Sequence, residues 1–250
     1  MTDLKKIYSI RFKQIHSTNV WIKEHASSLA PNHITCITAD TQTAGRGRFG
    51  KPWISPKGNV YSSLFFSVPK GVSYLSNISQ ILSYSAVIAL EKLEFAPKIK
   101  WPNDLQLEGK KVAGVLTETV HLNDRLGVVV GIGLNVNMTA DALQIVDQPA
   151  TSLAIVSGKQ WNIEEIMASI LEEFRQSLFI LEKEGFAPFQ AAFEERLAYK
   201  GEIVQCQKGT TLLEGICHSI TRDGSLNLLL PSGDLEILSS GEIQNLRRKT

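Results

Sequence analysis

The sequence predicts an α+β (mixed α/β) domain with a largely antiparallel sheet, followed by a small all-β barrel. Two observations support this fold class. Apolar segments with strand and helix periodicity both occur before residue 200, but without the strict β-α-β alternation of a doubly wound parallel fold. Beyond about Lys200, short apolar runs separated by glycine-containing turns are typical of a barrel of about fifty residues. We therefore predict two domains, at residues 1–199 and 200–250.

The first predicted elements are a helix and two strands. The polar triplet Ser17–Asn19 precedes an apolar run, which is a signal for a helix N-terminus. His33–Ala39 alternates and is rich in β-branched residues, and Asn59–Val68 is also apolar, so both are predicted strands. Between them, Gly45–Gly58 contains four glycines and two prolines and cannot form a regular element.

The middle of the chain predicts a helix followed by a hairpin. Apolar residues spaced through Leu75–Leu93 indicate a buried helix. Lys111–Val120 and Leu126–Val136 have the composition of strands, and the turn-prone pair Asn123–Asp124 lies between them. These two strands should therefore pair as an antiparallel hairpin.

A long amphipathic helix closes the first domain. Asn162 can cap its N-terminus, and Glu165 follows at capping-box spacing. Apolar residues from Ile163 to Leu181 then share one face until Gly185 ends the helix. We interpret this apolar face as part of the core.

Composition narrows the class of protein. Of the 250 residues, 43% are hydrophobic and 20% charged, and the net charge is +1, so no basic field indicates binding to nucleic acid or membrane. We find no apolar run long enough for a signal peptide or a membrane span. The three cysteines lack C-x-x-C spacing and the histidines lack ligand spacing, which predicts a reducing, cytoplasmic location and no zinc site.

The glycine-rich segment Gly45–Gly50 (GRGRFG) matches the dinucleotide fingerprint G-x-G-x-x-G. That fingerprint must open into a helix, but Pro52 and Pro56 follow, which excludes a nicotinamide-dependent oxidoreductase. A flexible loop with several cations remains, and such a loop is suited to gripping phosphate. An exposed basic loop without a ligand is the alternative.

Four linked motifs stand in order along the chain. They are GRGRFGKPW at 45–53, KWPND at 100–104, KVAGVLTE at 111–118 and GIGLN at 131–135. In order and spacing they closely resemble the biotin–protein ligase family, from about Ser17 to Leu153. The resemblance implies a catalytic domain like those of class II synthetases and lipoyl ligases, with an SH3-like C-terminal barrel.

The resemblance implies a two-step reaction. The protein would use ATP and Mg²⁺ to convert biotin to biotinyl-5′-AMP, then pass biotin to a lysine of the biotin carboxyl carrier protein of acetyl-CoA carboxylase. The implied biotin-binding residues are Ser17, Thr18, Asn19, Gln42, Gly45, Arg46, Gly47, Arg48, Lys111, Gly114, Leu116 and Gly131. The implied ATP-binding residues are Arg46, Arg48, Trp53, Asn103, Asp104, Lys111 and Asn135, and Asp104 is the implied metal ligand.

Lys111, Arg46 and Arg48 are the implied catalytic residues. A fixed cation beside the carboxylate of biotin and the α-phosphate would stabilise charge that builds on the phosphoryl oxygens. Lys110 should point to the opposite face of the strand, and the resemblance selects Lys111 of the pair. Both arginines would close the loop over the reactants and exclude water.

Other interpretations stay open at this point. The triplet Ser17–Asn19 is alternatively a plain helix cap, and Trp53 a core residue. A lipoate or octanoate ligase or transferase shares the fold, and a non-catalytic biotin sensor would share the pocket. Many family members carry an amino-terminal DNA-binding domain; here the motif at Ser17 begins too early for one, so no DNA binding is expected. The oligomeric state, a homodimer included, is left open.

Overall fold

The computed structural model describes residues 6–30, 33–241 and 243–245. Its helices and strands, in chain order, are β1 (Ile7–Ile15), α1 (Thr18–His25), β2 (Ile34–Gln42), β3 (Val60–Pro69), α2 (Ile78–Glu91), β4 (Lys98–Lys100), β5 (Asp104–Leu107), β6 (Lys110–His121), β7 (Arg125–Leu134), α3 (Ala140–Leu143), α4 (Leu153–Ser157), α5 (Ile163–Glu184), α6 (Gln190–Glu195), β8 (Ile203–Lys208), β9 (Thr211–Ile220), β10 (Leu226–Leu229), β11 (Leu235–Leu238) and β12 (Ile243–Asn245).

The larger sheet has seven strands in the order β1-β2-β3-β7-β6-β5-β4. Only β1 and β2 pair in parallel, and the other neighbours are antiparallel. The largely antiparallel sheet is therefore confirmed. So is the β6–β7 hairpin, whose second strand ends at Leu134, two residues before its predicted end.

The two faces of this sheet are covered differently. Helices α2 and α5 pack on one face, and the apolar side chains between them and the sheet form the main core. On the other face, α1 covers only a small apolar cluster, consisting of Ile22, Ala26, Ile37, Phe65 and Val129. The rest of that face has no helix among the described residues, which leaves space for a binding site.

The predicted cap of α5 is present with one change. Asn162 Oδ1 accepts from the backbone N–H of Glu164 and of Glu165, at 3.0 and 3.4 Å. In a capping box the N3 side chain accepts from the backbone N–H of the N-cap. Here Glu165 instead accepts from the side-chain amide of Asn162 at 2.9 Å. Gly185, at φ 70°, follows the last helical residue as predicted.

The smaller sheet is antiparallel, with five strands in the order β11-β10-β9-β8-β12. Its edge strands β11 and β12 do not pair with each other in the described part of the chain, so closure into a barrel stays a prediction. Polar contacts join it to α2 and to the turn between β4 and β5: Gly224 O accepts from Trp101 Nε1 at 3.0 Å and from Gln80 Nε2 at 2.7 Å. Its apolar side chains continue the main core.

Several elements were not predicted from the sequence, including β1, β4, β5 and β12. The three cysteines are unpaired and buried. No helix in the described part of the chain has the length and apolar content needed to cross a bilayer. Met1–Lys5 lie outside the described residues, so the expected lack of a signal peptide is not addressed there.

Candidate active site

Three rows of side chains cross the face of the larger sheet on which α1 packs. The register aligns Phe65 with Val129 and Glu118 in the first row, and this row lies under α1. The second row aligns Ser63, Gly131 and Leu116, and the third aligns Tyr61, Gly133, Gly114 and Asp104. Residues two apart on a strand share a face. Glycines in the second and third rows therefore leave a flat floor on which a ligand can lie.

Neighbouring side chains leave too little room for a Cβ at the glycines of this floor. A Cβ on Gly131 would overlap Asn19 Oδ1, and one on Gly133 would overlap the indole of Trp53. At Gly114 a Cβ would lie 3.1–3.2 Å from Asp104 Oδ1, Lys111 Cε and Trp53 Cζ3. Close approach of functional groups explains glycine in a strand interior, where it otherwise weakens the strand.

The loop Gly45–Gly58 folds back beside this floor without forming a regular element, as predicted. Gly47 N donates to Lys51 O at 2.8 Å, and Trp53 N donates to Gly45 O at 2.9 Å. One short 3-10 turn, Arg48–Gly50, lies at its tip. Gly45 is buried under the loop, where a Cβ would meet Trp53 O and Ser55 Oγ. This glycine therefore permits the loop to close on itself.

Lys111 lies where the floor, the loop and β5 meet. Its Nζ is 2.6 Å from Asp104 Oδ2, and both side chains are mostly buried. The ammonium also lies 5.5 Å from the centre of the Trp53 ring, a cation–π distance. Lys110 is exposed, in agreement with its expected position on the opposite face. The result is a fixed cation at one end of the floor.

Arg48 is anchored on two sides. Its Nη1 donates to Asn103 Oδ1 and its Nη2 to Gly241 O in the turn before β12, each at 3.0 Å. Asn103 Nδ2 in turn donates to Val115 O on β6. Both ends of the Asn103 amide are thus bonded within the protein. Arg46, by contrast, is exposed near the start of the same loop.

A cluster of hydroxyl and amide groups lies at the other end of the floor. Gln42 Oε1 accepts from Thr18 N at 2.9 Å and from Thr18 Oγ1 at 3.2 Å. Gln42 Nε2 donates to Ser55 Oγ at 3.0 Å. Ser17 occupies the N-cap position of α1, but its side chain makes no capping hydrogen bond, so the plain helix-cap alternative is not supported. Ser17, Thr18 and Asn19 are all buried.

These groups surround a cleft with about 900 Å³ of empty space. It brings together most of the residues that the sequence analysis selected: Ser17, Thr18, Asn19, Gln42, Arg46, Gly47, Arg48, Trp53, Asn103, Asp104, Lys111, Gly114, Leu116 and Gly131. Gly45 and Asn135 are not in its lining. Gly45 is instead buried against Trp53 and Ser55 of its own loop. Asn135 lines an adjoining cavity that shares Trp53 and Lys111 with the cleft. The amide of Asn135 also donates to Thr151 O at 3.0 Å.

The sequence analysis missed several residues of the site. Ser62, Ser63 and Gln148 line the cleft, together with Phe49 and Lys100. Gly133 of the GIGLN motif and Lys51, one of the cations beside the glycine-rich segment, line it as well. Ser63 Oγ lies 2.5 Å from Asn19 Oδ1 and 2.6 Å from Thr18 Oγ1. Its strand was predicted correctly, and the strand period of two would have placed Ser63 on the same face as Tyr61. What the sequence lacked was the register that aligns Ser63 with Gly131.

We expect Gly133→Ala to destabilise the protein by about 1–3 kcal/mol, the usual cost of overpacking. The reason is that the added methyl overlaps the Trp53 indole, which must leave its place on the floor. Thermal unfolding would measure the change. In a Trp53→Ala background the same substitution should cost much less, because contacting residues are not additive. Equal costs in both backgrounds would contradict the proposed clash.

Comparison with known proteins agrees with this architecture. The sequence model of the biotin/lipoate A/B protein ligase family matches residues 11–135. The bifunctional ligase/repressor BirA of Escherichia coli is 32% identical over 232 residues, which span 92% of this chain and 71% of that protein. The biotin–[acetyl-CoA-carboxylase] ligase of Paracoccus denitrificans is 33% identical over 215 residues, spanning 83% of this chain and 88% of the relative.

Solved structures give the same assignment. The biotin protein ligase of Aquifex aeolicus, in complex with biotin and ATP, superposes with a TM-score of 0.81 and is 31% identical. The match covers 95% of this chain and 97% of that one. The chain therefore belongs to the biotin/lipoate A/B protein ligase family, within its biotin–protein ligase branch.

Proposed function

We infer that this chain is an ATP-dependent biotin–protein ligase. It activates biotin to biotinyl-5′-AMP and transfers the biotinyl group to a lysine of a biotin carboxyl carrier protein. One observation carries the inference: a single cleft joins the polar cluster around Thr18 and Gln42 to the Lys111–Asp104 pair across a glycine floor. Such a cleft offers one binding surface for each part of biotin: a polar end for its ureido group, a flat surface for its apolar bicyclic ring, and a cation for its carboxylate.

At the polar end, we propose that Ser17, Thr18, Asn19 and Gln42 bind the ureido group. Their hydroxyl and amide groups supply both donors and acceptors, as a group with two N–H donors and one carbonyl acceptor requires. Thr18, Asn19 and Gln42 lie within one hydrogen-bonded cluster that includes Ser63, so their orientations are set before biotin arrives. Preorganisation of this kind reduces the cost of ordering side chains on binding. The bicycle would then lie on Gly131 and Leu116.

At the other end, we propose that Lys111 faces the biotin carboxylate and the α-phosphate of ATP. A carboxylate oxygen attacks the α-phosphorus, the bond from that phosphorus to the bridging oxygen breaks, and pyrophosphate leaves with the electron pair. Negative charge increases on the phosphoryl oxygens during this step, so a fixed ammonium stabilises the transition state. Asp104, bonded to Nζ at 2.6 Å, holds the Lys111 side chain in place.

Arg46 and Arg48 act from the loop in this proposal. Arginine grips phosphate with paired donors, and the loop covers the cleft so that water is kept from the mixed anhydride. Trp53 is suited to border the nucleotide because its ring packs against Gly133 and Gly114 of the floor. In the described structure its Nε1 is buried without an acceptor, which fits a group that a ligand completes. Asn135 supports the nucleotide side through the adjoining cavity.

The donors present also fit Mg²⁺, which commonly binds through one or two carboxylates together with substrate phosphates. Asp104 is the carboxylate in position to help hold it, and the described residues contain no cluster of three His, Cys, Asp or Glu that would bind a metal alone. When bound, the ion neutralises charge on the phosphates. Asn103, whose amide is bonded to Arg48 and Val115, would hold Arg48 in place and would not itself be a ligand.

Further features of the protein are also proposals. We propose that residues 1–199 form the catalytic domain and that residues 200–250 form a small accessory domain that holds Arg48 through Gly241 O. The acceptor lysine would come from the carrier of acetyl-CoA carboxylase, with strand addition at a sheet edge as the docking mode. A cytoplasmic location is consistent with the buried, unpaired cysteines. The absence of DNA binding stays a prediction.

The transfer reaction tests the proposed function. The protein is incubated with ATP, Mg²⁺, biotin and a purified biotin carboxyl carrier domain, and intact mass reports the carrier. We expect one biotinyl group on the carrier, and none on a control carrier with its acceptor lysine changed to arginine. If the protein transferred a lipoyl group when lipoate replaced biotin, and transferred no biotin, the chain would be assigned to lipoyl ligation. Biotin binding without any transfer would make it a sensor.

A further inference from the structure

We propose that Glu118 is a positioning residue that fixes the side-chain amide of Asn19, with its oxygen toward the cleft and its nitrogen away from it. This proposal rests on the proposed function and adds a determinant of biotin recognition. Glu118 does not line the cleft, as far as the described residues show, so its effect on the ligand passes through Asn19.

The contacts of Asn19 define the orientation of its amide. Asn19 Nδ2 lies 2.9 Å from Glu118 Oε2 and 3.5 Å from Leu116 O. An ionised carboxylate and a backbone carbonyl only accept hydrogen bonds, so the nitrogen must face them. On the other side, the Ser63 hydroxyl lies 2.5 Å from Asn19 Oδ1 and can donate to it. A flipped amide would place its oxygen against the carboxylate.

The orientation matters because the Asn19 oxygen is part of the ligand surface. Asn19 lines the cleft, and a Cβ on Gly131 would overlap Oδ1, so this oxygen lies directly above the glycine floor. An acceptor there suits an N–H of the ureido ring. The reversed amide would present its own N–H groups to that donor. Glu118 therefore determines whether this position accepts or repels the ligand.

The environment of Glu118 keeps the carboxylate ionised. Burial alone would raise its pKa, but hydrogen bonds from Lys23 and Asn19, and the nearby charges of Lys23 and Arg46, outweigh burial and hold the pKa below its usual range. Lys23 Nζ lies 2.6 Å from Glu118 Oε1. One carboxylate oxygen thus bonds the lysine and the other bonds Asn19.

The test measures biotin dissociation constants by calorimetry on the whole protein. Glu118→Met fills a similar volume but cannot accept from Asn19, and we expect biotin affinity to fall at least ~10-fold, the factor for one hydrogen bond to a charged group. Glu118→Gln keeps an oxygen that can accept, and should stay within about 3-fold of wild type. Lys23→Ala, which leaves the carboxylate beside Asn19, is the matched control and should bind biotin nearly as well as wild type.

A double-mutant cycle separates positioning from a general structural effect. In an Asn19→Ala background, Glu118→Met should cause no further loss of affinity, because the residue through which Glu118 acts is gone. Additive losses, or a Gln variant as weak as the Met variant, would overturn the proposal. Because binding and not turnover is measured, a protein that binds biotin but transfers none would refute the proposed function and still leave this cycle readable.

Discussion

Lys111→Ala is expected to slow the formation of biotinyl-5′-AMP by roughly 10²–10³-fold, the usual loss when one charge-stabilising donor is removed from an active site. The substitution deletes the fixed ammonium and also leaves Asp104 without its partner at 2.6 Å, so a bare carboxylate would face the phosphates. Rapid-quench single-turnover measurements with labelled ATP and saturating biotin report this step directly. Biotin affinity should change much less than the rate.

Lys110→Ala is the matched control for this experiment. It removes the same charge one residue away, from an exposed side chain that is not in the lining of the cleft. We expect an unchanged rate. If both variants adenylated biotin as fast as wild type, Lys111 would not be the catalytic cation, and the arginines of the Gly45–Gly50 loop would have to supply the charge.

The second large effect is expected for Gly131→Ala, which should weaken biotin binding by roughly 100-fold. The added methyl overlaps Asn19 Oδ1 and lies 3.1 Å from Ser63 Oγ. Displacing Asn19 loses a hydrogen bond to the ligand, and the methyl also takes space on the floor; together these cost about 3 kcal/mol. Isothermal titration calorimetry with biotin measures the loss.

A second substitution identifies the cause of this loss. In the double variant Gly131→Ala/Asn19→Ala, the clash is relieved, so the melting temperature should recover toward that of Asn19→Ala alone. Biotin affinity should stay low, because the acceptor is missing. If instead Gly131→Ala bound biotin like wild type, the ligand could not lie on this row of the sheet, and our placement of the bicycle would be wrong.

Elements with strong local signals were predictable from the sequence. The β6–β7 hairpin has two long strands around a turn-prone pair, and α5 has a continuous apolar face, an asparagine cap and a terminal glycine. Both were placed to within a few residues. Strands β8 to β11 of the smaller sheet were also recognised, because each short apolar run is bounded by turn residues.

Elements without such signals were missed. Strand β1 lies at the sheet edge with most of its side chains exposed, so its sequence has little need of an apolar alternation. Strands β4 and β5 have three and four residues, too few to establish a period. Pro102, which lies between them, also makes the two strands harder to recognise from the sequence. Pairing with neighbouring strands stabilises these segments, and that information lies in the tertiary structure.

The residues of the site also divide into those that a sequence motif indicates and those that it does not. Lys111, Asp104 and Trp53 stand in linked motifs, so the sequence indicated them together, and the structure places them in contact. Ser63 stands in no motif, and Glu118 ends the KVAGVLTE motif without a role that the motif assigns to it. Their places depend on cross-strand register and on α1, which brings Asn19 to Glu118 on β6 and to Ser63 on β3. Residues that orient other residues are therefore harder to predict than residues that meet the ligand.

The most direct test of the proposed activity is ATP–pyrophosphate exchange by the wild-type protein, measured with biotin, with lipoate and with neither acid. Exchange isolates the adenylation step and needs no carrier protein. We predict exchange that depends on biotin and is absent with lipoate or without an added acid. Exchange with lipoate alone, or no exchange with biotin despite measurable biotin binding, would contradict the conclusion that this cleft activates biotin.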